Sequence, residues 1–117
     1  MSWSRKPRST AWTELPLLNG WAGQVWLRRT GMTVWVRVVG LDGSAKTSEL
    51  VCEIPLGFRD AGPDGCRGEL HTATSAPVIR RYWAGGGSFR VVSSTQDAPL
   101  WGSVSWPTDN AMPTGGA

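Results

Sequence analysis

Two runs of β-branched and aromatic residues, QVWLRR at 24–29 and TVWVRVV at 33–39, are separated by the short segment TGM. Such runs are typical of β-strands, and a short glycine-containing link between them predicts an antiparallel hairpin. Gly31 in this link is expected to take the positive φ that a tight turn needs. Because no stretch of the sequence has a convincing helical period, this hairpin sets the class of fold.

Alternation within the second run assigns its side chains to the two faces of a sheet, since successive residues of a strand point in opposite directions. Val34, Val36 and Val38 form one purely aliphatic face, which is expected to be core. The opposite face carries Trp35 and Arg37, so that it presents a large aromatic ring beside a cation. The hairpin is therefore expected to have one buried side and one side that is available for contacts.

Further strand-like runs follow along the chain and are separated by turn residues. A second hairpin is predicted where AGGG, residues 84–87, joins two such runs. Residues 59–68 have the composition of a loop, and residues 69–77 have only weak strand character. The strand-like runs lie at 49–54, 78–83, 88–94 and 100–106.

Six to eight short strands, with turns supplied by the 15 Gly and 8 Pro of the chain, predict an all-β fold, an antiparallel β-sandwich or jelly roll. The 117 residues suffice for one domain. We expect it over 12–107, between an N-terminal arm at 1–11 and a C-terminal tail at 108–117 that has nothing to bury. The corner LPLLNGWAG at 15–23 is expected to cover one end of the sandwich. The predicted core residues are Val34, Val36, Leu50, Ile54, Val91 and Val104.

The charge pattern limits the classes of partner. The formal net charge is +3, and the basic segment RKPR at 5–8 could meet phosphate. A continuous basic stripe with interleaved aromatic residues is missing elsewhere, which favours a solvated arm and argues against nucleic acid. No apolar run approaches the roughly twenty residues of a membrane span, and no hydrophobic segment near the N-terminus has the form of a secretory signal. We therefore expect a soluble protein made in the cytoplasm.

Residues with catalytic or metal-binding potential are sparse. Cys52 and Cys66 have no second cysteine pair with which to form a zinc site, and a buried thiol is favoured over a disulfide at Cys52. His71 has no serine in a GxSxG setting, and AGGGS lacks the lysine of a phosphate-binding loop. The nearby acids fall in a polar loop without the apolar surroundings that acid–base catalysis by paired carboxylates needs. The sequence therefore predicts a protein that is not an enzyme and needs no metal or cofactor. The acids considered for catalysis are Asp60, Asp64 and Glu69.

Several segments taken in order resemble the small C-terminal β-sandwich domain, of receptor-binding type, in minor tail proteins and tail fibres of tailed bacteriophages. In that family an LLNGW corner precedes an arginine-containing hairpin, an LPxGFRP segment follows, and the last strand has a Trp-x-Ser ending. Asp60 stands where the family usually has proline, and residues 61–77 match no motif of the family. The matching segments are Trp12, LPLLNGW at 15–21, VWLRRTGMTVWVRVVGL at 25–41, CEIPLGFRD at 52–60 and WGSVSWP at 101–107.

The resemblance and the aromatic residues together suggest a binding surface. Rings such as Trp26 and Trp35 could stack on the apolar faces of sugars, while Arg28, Arg37 or Arg81 hydrogen-bond hydroxyl or anionic groups. The alternative is that these rings are buried in the core or against other subunits, which a trimer around a threefold axis would do.

Two hypotheses share this fold. The resemblance implies a virion protein at the tail tip or fibre that attaches to host-surface carbohydrate. The short chain instead favours a decoration protein that cements the outer capsid at threefold positions. In either case we expect a homo-oligomer, a trimer, whose N-terminal arm docks onto another virion protein by strand addition or by burying a ring. The docking residues are Trp3, Arg5, Lys6 and Arg8.

Overall fold

Short stretches of alternating apolar and polar residues, interrupted by glycine and proline, form strands rather than helices in this chain. A computed structural model describes residues 8–62 and 64–112, and these contain eight β-strands and no helix. The strands are β1 (Thr13–Glu14), β2 (Ala22–Thr30), β3 (Thr33–Asp42), β4 (Leu50–Glu53), β5 (Cys66–Thr72), β6 (Ile79–Gly85), β7 (Ser88–Val91) and β8 (Leu100–Pro107).

All neighbouring strands run antiparallel, in the order β1-β2-β3-β8-β5-β6-β7-β4. The eight strands belong to one sheet that curls strongly into a half-barrel, so that its concave side encloses the core. The predicted all-β antiparallel fold of six to eight short strands is confirmed.

Glycines at the two predicted hairpins allow the tight turns between their strands. β2 and β3 are joined by Gly31 and Met32, and Gly31 has a φ of 58°. β6 and β7 are joined by Gly86 and Gly87, with φ values of 59° and 81°. Two consecutive positive φ values match the right-handed twist of the flanking strands. Both hairpin predictions are confirmed.

The corner at 15–23 joins the two ends of the curled sheet. The Leu18 N–H donates to the Val51 carbonyl at 2.8 Å, and the side-chain amide of Asn19 donates to the Leu50 carbonyl at 2.9 Å. These bonds satisfy backbone groups of β4, which is otherwise an edge strand. The corner thus closes the opening of the half-barrel next to β4.

Backbone conformation and packing both require particular residues in this corner. Asn19 and Gly20 have φ values of 57° and 82°, the left-handed region that asparagine and glycine adopt most readily. Trp21 is 6% exposed, and its indole N–H donates to the Ser48 carbonyl at 2.9 Å. A large ring with a satisfied polar group therefore seals this end of the core, as expected from the sequence.

Aliphatic side chains of the concave face form the core. Leu50 is only half-buried, so its prediction as a core residue is wrong. The cause is a register shift between Leu50 and Cys52, which buries the adjacent side chains of Val51 and Cys52 together. The other predicted core residues are confirmed as buried: Val34, Val36, Ile54, Val91 and Val104.

Strand β5 begins inside the segment that was predicted to be a loop. Gly68 pairs with Tyr82 of β6, and a Cβ at Gly68 would lie 2.6 Å from the Tyr82 ring. Glycine is needed here because the ring approaches the backbone closely. The glycines at 65 and 68 gave this segment the composition of a loop, although Gly68 makes room for a cross-strand neighbour.

The chain packs against the fold after β8, so the prediction that this segment has nothing to bury is wrong. Thr108 is 1% exposed, and its N–H donates to the Met32 carbonyl at 2.9 Å. The Asn110 side-chain oxygen accepts the N–H groups of Gly57 and Arg59, both at 3.1 Å. Short polar side chains thus attach the segment through backbone hydrogen bonds, which hydropathy does not reveal.

Arg29 occupies an inward position of β2 and is 2% exposed. Its guanidinium donates to the carbonyls of Gly31 at 2.7 Å, Gly57 at 2.8 Å and Ala111 at 3.1 Å. A buried cation is tolerated when its donors are satisfied. Arg29 therefore links the β2–β3 turn, the loop after β4 and the segment after β8.

Candidate functional site

Outward side chains of β2 and β3 form a checkerboard of rings and guanidinium groups. The register places Trp26 opposite Arg37 and Arg28 opposite Trp35. Because directly opposite side chains on one face of an antiparallel pair are nearest neighbours, each ring lies beside a cation. Four of the five residues predicted from the sequence as contact residues are therefore brought together.

Neighbouring strands extend this checkerboard into an open groove of about 480 Å³. Ser105 of β8 pairs with Trp35, and Ser103 pairs with Arg37, so two hydroxyl groups flank the ring and the cation. Trp12, just before β1, lines the other side. We call this surface the β3 groove and define it by Trp12, Arg28, Trp35, Arg37, Ser103 and Ser105.

The rings of the groove differ in accessibility. Trp35 is 46% exposed and Trp12 is 39% exposed, so both present surface to solvent. Trp26 is half-buried, and its indole N–H is 3.3 Å from the side-chain oxygen of Gln24, which holds it along β2. Trp26 lines an adjoining depression of about 230 Å³ that shares Trp12 and Arg37 with the β3 groove. Exposed rings of this size on one face are typical of binding surfaces.

The charge within the β3 groove is entirely positive. Among the described residues, no acidic side chain lines the groove or the adjoining depression. Within 8–62 and 64–112 the one ion pair joins Arg80 to Asp97, on another part of the sheet. The Nε of Arg28 is buried and has no hydrogen-bond partner among the described residues. The lining of the groove therefore has two guanidinium groups and a surplus of donors, and the carboxylate of Glu14, opposite Trp26 in the register, lies on the same face outside the lining.

Arg81, the fifth predicted contact residue, lies away from this cluster. It is exposed on β6 and lines a different groove, of about 500 Å³, on the other half of the sheet. The sheet order places β8 and β5 between β3 and β6, which separates Arg81 from Trp35. We call this surface the β6 groove and define it by Glu49, Arg67, Glu69, Arg81, Trp83 and Arg90.

The structure disperses the residues considered for catalysis. His71 is exposed on β5 and pairs with Ile79 on one side and Trp101 on the other. Asp60 accepts a hydrogen bond from the Gly62 backbone at 3.3 Å. The described residues contain no cluster of three or more His, Cys, Asp and Glu side chains that could hold a metal ion. None of these groups lines the β3 groove.

Shifted pKa values occur at structural positions outside the β3 groove. Burial raises the pKa of the Cys52 thiol to about 12. Burial, with a smaller effect of the hydrogen bond to Cys66, raises the pKa of the Tyr82 hydroxyl above its ordinary value. The hydrogen bond from Arg80 lowers the pKa of the Asp97 carboxyl. Cys52 and Cys66 are free thiols and are not bonded to each other.

Part of the predicted docking arm pairs with the domain itself. Arg8 is exposed, and its carbonyl accepts the Gly31 N–H at 2.7 Å. Thr10 is buried and exchanges hydrogen bonds with the Arg29 backbone, so the chain at 8–10 runs along the edge of β2. The remaining predicted docking residues lie outside the described residues: Trp3, Arg5 and Lys6.

Sequence reasoning missed three residues of the groove, Trp12, Ser103 and Ser105. A signal for the two serines was present, because alternation in β8 places them opposite to the inward positions of Leu100 and Val104. Trp12 had no comparable signal, since the strand that follows it has only two residues. Its position depends on the pairing of β1 with β2.

Comparison with models of known protein families, with curated proteins and with solved structures found no match to this chain. Among the described residues there is also no helix with the length and apolarity needed to cross a membrane. The chemistry of the β3 groove and the motifs of the sequence are therefore the features that bear on function.

Proposed function

We propose that this chain is a non-enzymatic attachment module of a tailed-bacteriophage tail tip or tail fibre, and that its β3 groove binds host-surface saccharides. The motif resemblance supports the virion location. One observation carries the binding role: two exposed rings, Trp12 and Trp35, line a groove that also contains guanidinium and hydroxyl groups. Saccharides combine apolar ring faces with dense hydroxyl groups, and this groove offers a partner for each.

A single groove of this kind is a weak binding site. It is shallow and open, and a binding free energy of about −4 kcal/mol corresponds to a dissociation constant near 1 mM. Several copies on one particle would raise the overall affinity by roughly 10² to 10⁴ through effective concentration alone. Weak monovalent and strong multivalent binding is therefore expected, and the proposed trimer would provide three linked sites.

The Trp35→Ala variant tests the binding role, with Trp101→Ala as its matched control. Trp101 is 40% exposed on β8 and does not line the β3 groove. On an array of bacterial surface polysaccharides, Trp35→Ala is expected to lower the binding of the protein by about tenfold or more because stacking and burial are lost. Trp101→Ala is expected to bind like the wild type, and thermal unfolding of both variants should be almost unchanged.

Equal binding by the wild type and Trp35→Ala would reject this role for the groove. The second candidate, a capsid decoration protein at threefold positions, would then be favoured by the same exposed rings, because Trp12 and Trp35 would be buried between subunits. Copy number separates the two: a few copies per particle indicate the tail, and a number comparable to that of capsid subunits indicates the shell. Sedimentation at micromolar concentration should show a trimer, and a monomer would remove the avidity argument.

A further inference from the structure

Donors greatly outnumber acceptors among the polar groups of the β3 groove. Arg28 and Arg37 supply guanidinium groups with five N–H donors each, and Ser103 and Ser105 add two hydroxyls. A neutral sugar presents hydroxyl donors that need acceptors, yet no carboxylate lines this groove. We infer that the groove selects saccharides that carry an oxyanion, either a uronic-acid carboxylate or a sugar-linked phosphate. The inference rests on the proposed saccharide binding and names its ligand class.

The register allows both cations to reach one anion. Arg28 is directly opposite Trp35, and Arg37 is two residues from Trp35 on the same face of β3. Arg28 and Arg37 are therefore diagonal neighbours on one face of the sheet. Diagonal neighbours are roughly 7 to 8 Å apart at the backbone, a distance that long side chains span easily. A sugar stacked on Trp35 would therefore have a guanidinium on either side. Guanidinium groups bind carboxylate and phosphate through paired hydrogen bonds, which an ammonium group does not reproduce.

The Nε of Arg28 adds an observation independent of net charge. This atom is buried without a hydrogen-bond partner among the described residues, although buried polar groups are normally paired. Arg28 lines the β3 groove beside Trp12 and Trp35. The inaccessible Nε shows that Arg28 has no acceptor of its own among the described residues, and a ligand in the groove would bind the terminal nitrogens of its guanidinium.

The β6 groove provides an internal contrast. There Trp83 is flanked in register by Arg67 and Arg90, an arrangement similar to that around Trp35. However, Glu49 and Glu69 also line the β6 groove, and they balance two of the three arginine charges there. Selectivity for anions is therefore expected in the β3 groove and not in the β6 groove. Arg67 and Arg90 serve as matched control positions because both are exposed arginines on an outward sheet face.

The experiment compares three polymers: polygalacturonate for the carboxylate, a poly(glucosyl phosphate) for the sugar-linked phosphate, and dextran as a neutral polymer. Binding of the purified chain is measured by biolayer interferometry at physiological salt. The wild type is expected to bind one of the anionic polymers at least about tenfold more tightly than dextran. The polymer that binds identifies the oxyanion. The Arg28→Gln/Arg37→Gln variant should lose this preference, and Arg67→Gln/Arg90→Gln should keep it within about twofold.

Each outcome supports or overturns the inference. Equal binding of dextran and both anionic polymers overturns it, and so does the absence of binding to either anionic polymer. Equal losses in the two double variants would show attraction by net charge without a site, which also overturns it. Loss of polysaccharide binding in Trp35→Ala together with equal binding of neutral and anionic polymers would support saccharide binding and reject selection for anions. Thermal unfolding of both double variants verifies that they fold.

Discussion

Replacement of Arg29 by methionine tests how the buried guanidinium contributes to stability. Methionine fills a similar volume but provides no donor for the carbonyls of Gly31, Gly57 and Ala111. Each hydrogen bond from a charged group contributes about 1.5 to 3 kcal/mol, so three bonds amount to roughly 4.5 to 9 kcal/mol. Removal of the buried charge also abolishes its desolvation penalty of several kcal/mol, which offsets part of the loss. We expect a net destabilisation of about 2 to 5 kcal/mol.

The measurement is urea unfolding followed by tryptophan fluorescence, with Arg81→Met as control. Arg81 is exposed on β6, and surface substitutions of this kind change stability by about 0.5 kcal/mol or less. Hydrogen exchange adds a local readout, because the amide of Gly57, held by Asn110, should exchange faster once Arg29 no longer links these segments. A free energy of unfolding for Arg29→Met within about 0.5 kcal/mol of the wild type would refute the reasoning.

Three further predictions concern the core, an ion pair and the thiols. Val36→Ala is expected to lower the free energy of unfolding in urea by about 1 to 3 kcal/mol, because Val36 is 2% exposed and its removal leaves a cavity; no change would contradict the assigned register. The hydrogen bond from Arg80 lowers the pKa of Asp97 below its ordinary value of 3.8. The pair therefore stabilises the fold above pH 3.8, and this stabilisation is lost as pH falls through the folded-state pKa. The difference in melting temperature between Asp97→Asn and wild type should shrink from about pH 6 to about pH 2. Burial raises the pKa of Cys52 to about 12, so iodoacetamide should modify half-buried Cys66 before Cys52 in the native protein and both in urea.

Local periodicity was sufficient to predict the hairpins and most of the core. Val34 and Val36 both face inward because they are two residues apart in β3, and residues two apart share one face of the sheet. Leu50 was wrongly predicted to be a core residue because a register shift in β4 interrupts the alternation. No residue type in the strand indicates this shift. The order of strands in the sheet was also beyond local reasoning, since β8 pairs with both β3 and β5 across long stretches of sequence.

The same distinction applies to the groove. Trp35 and Arg37 share an outward face by alternation within one strand, and Trp26 and Arg28 join them through a hairpin with a short turn. These relations are local, so the sequence predicts them. The separation of Arg81 from this cluster depends on the two strands inserted between β3 and β6. From residue type alone, Arg81 was as good a candidate contact residue as the two tryptophans and two arginines of β2 and β3. Only the order of the strands shows that Arg81 lies apart from them.

Arg28 and Arg29 show why binding and stability can change independently in this fold. They are identical side chains at adjacent positions of β2, yet Arg28 lines the β3 groove and Arg29 is buried among backbone carbonyls. Successive residues of a strand face opposite sides, so one strand supplies both the core and the proposed binding surface. Substitution of Arg28 or Arg37 alters the ligand surface without opening a cavity, whereas a one-residue slip in register would bury Trp35 and expose Val36. The glycine turn and the Arg29 contacts oppose this slip, and they thereby maintain the surface that we propose to bind saccharides.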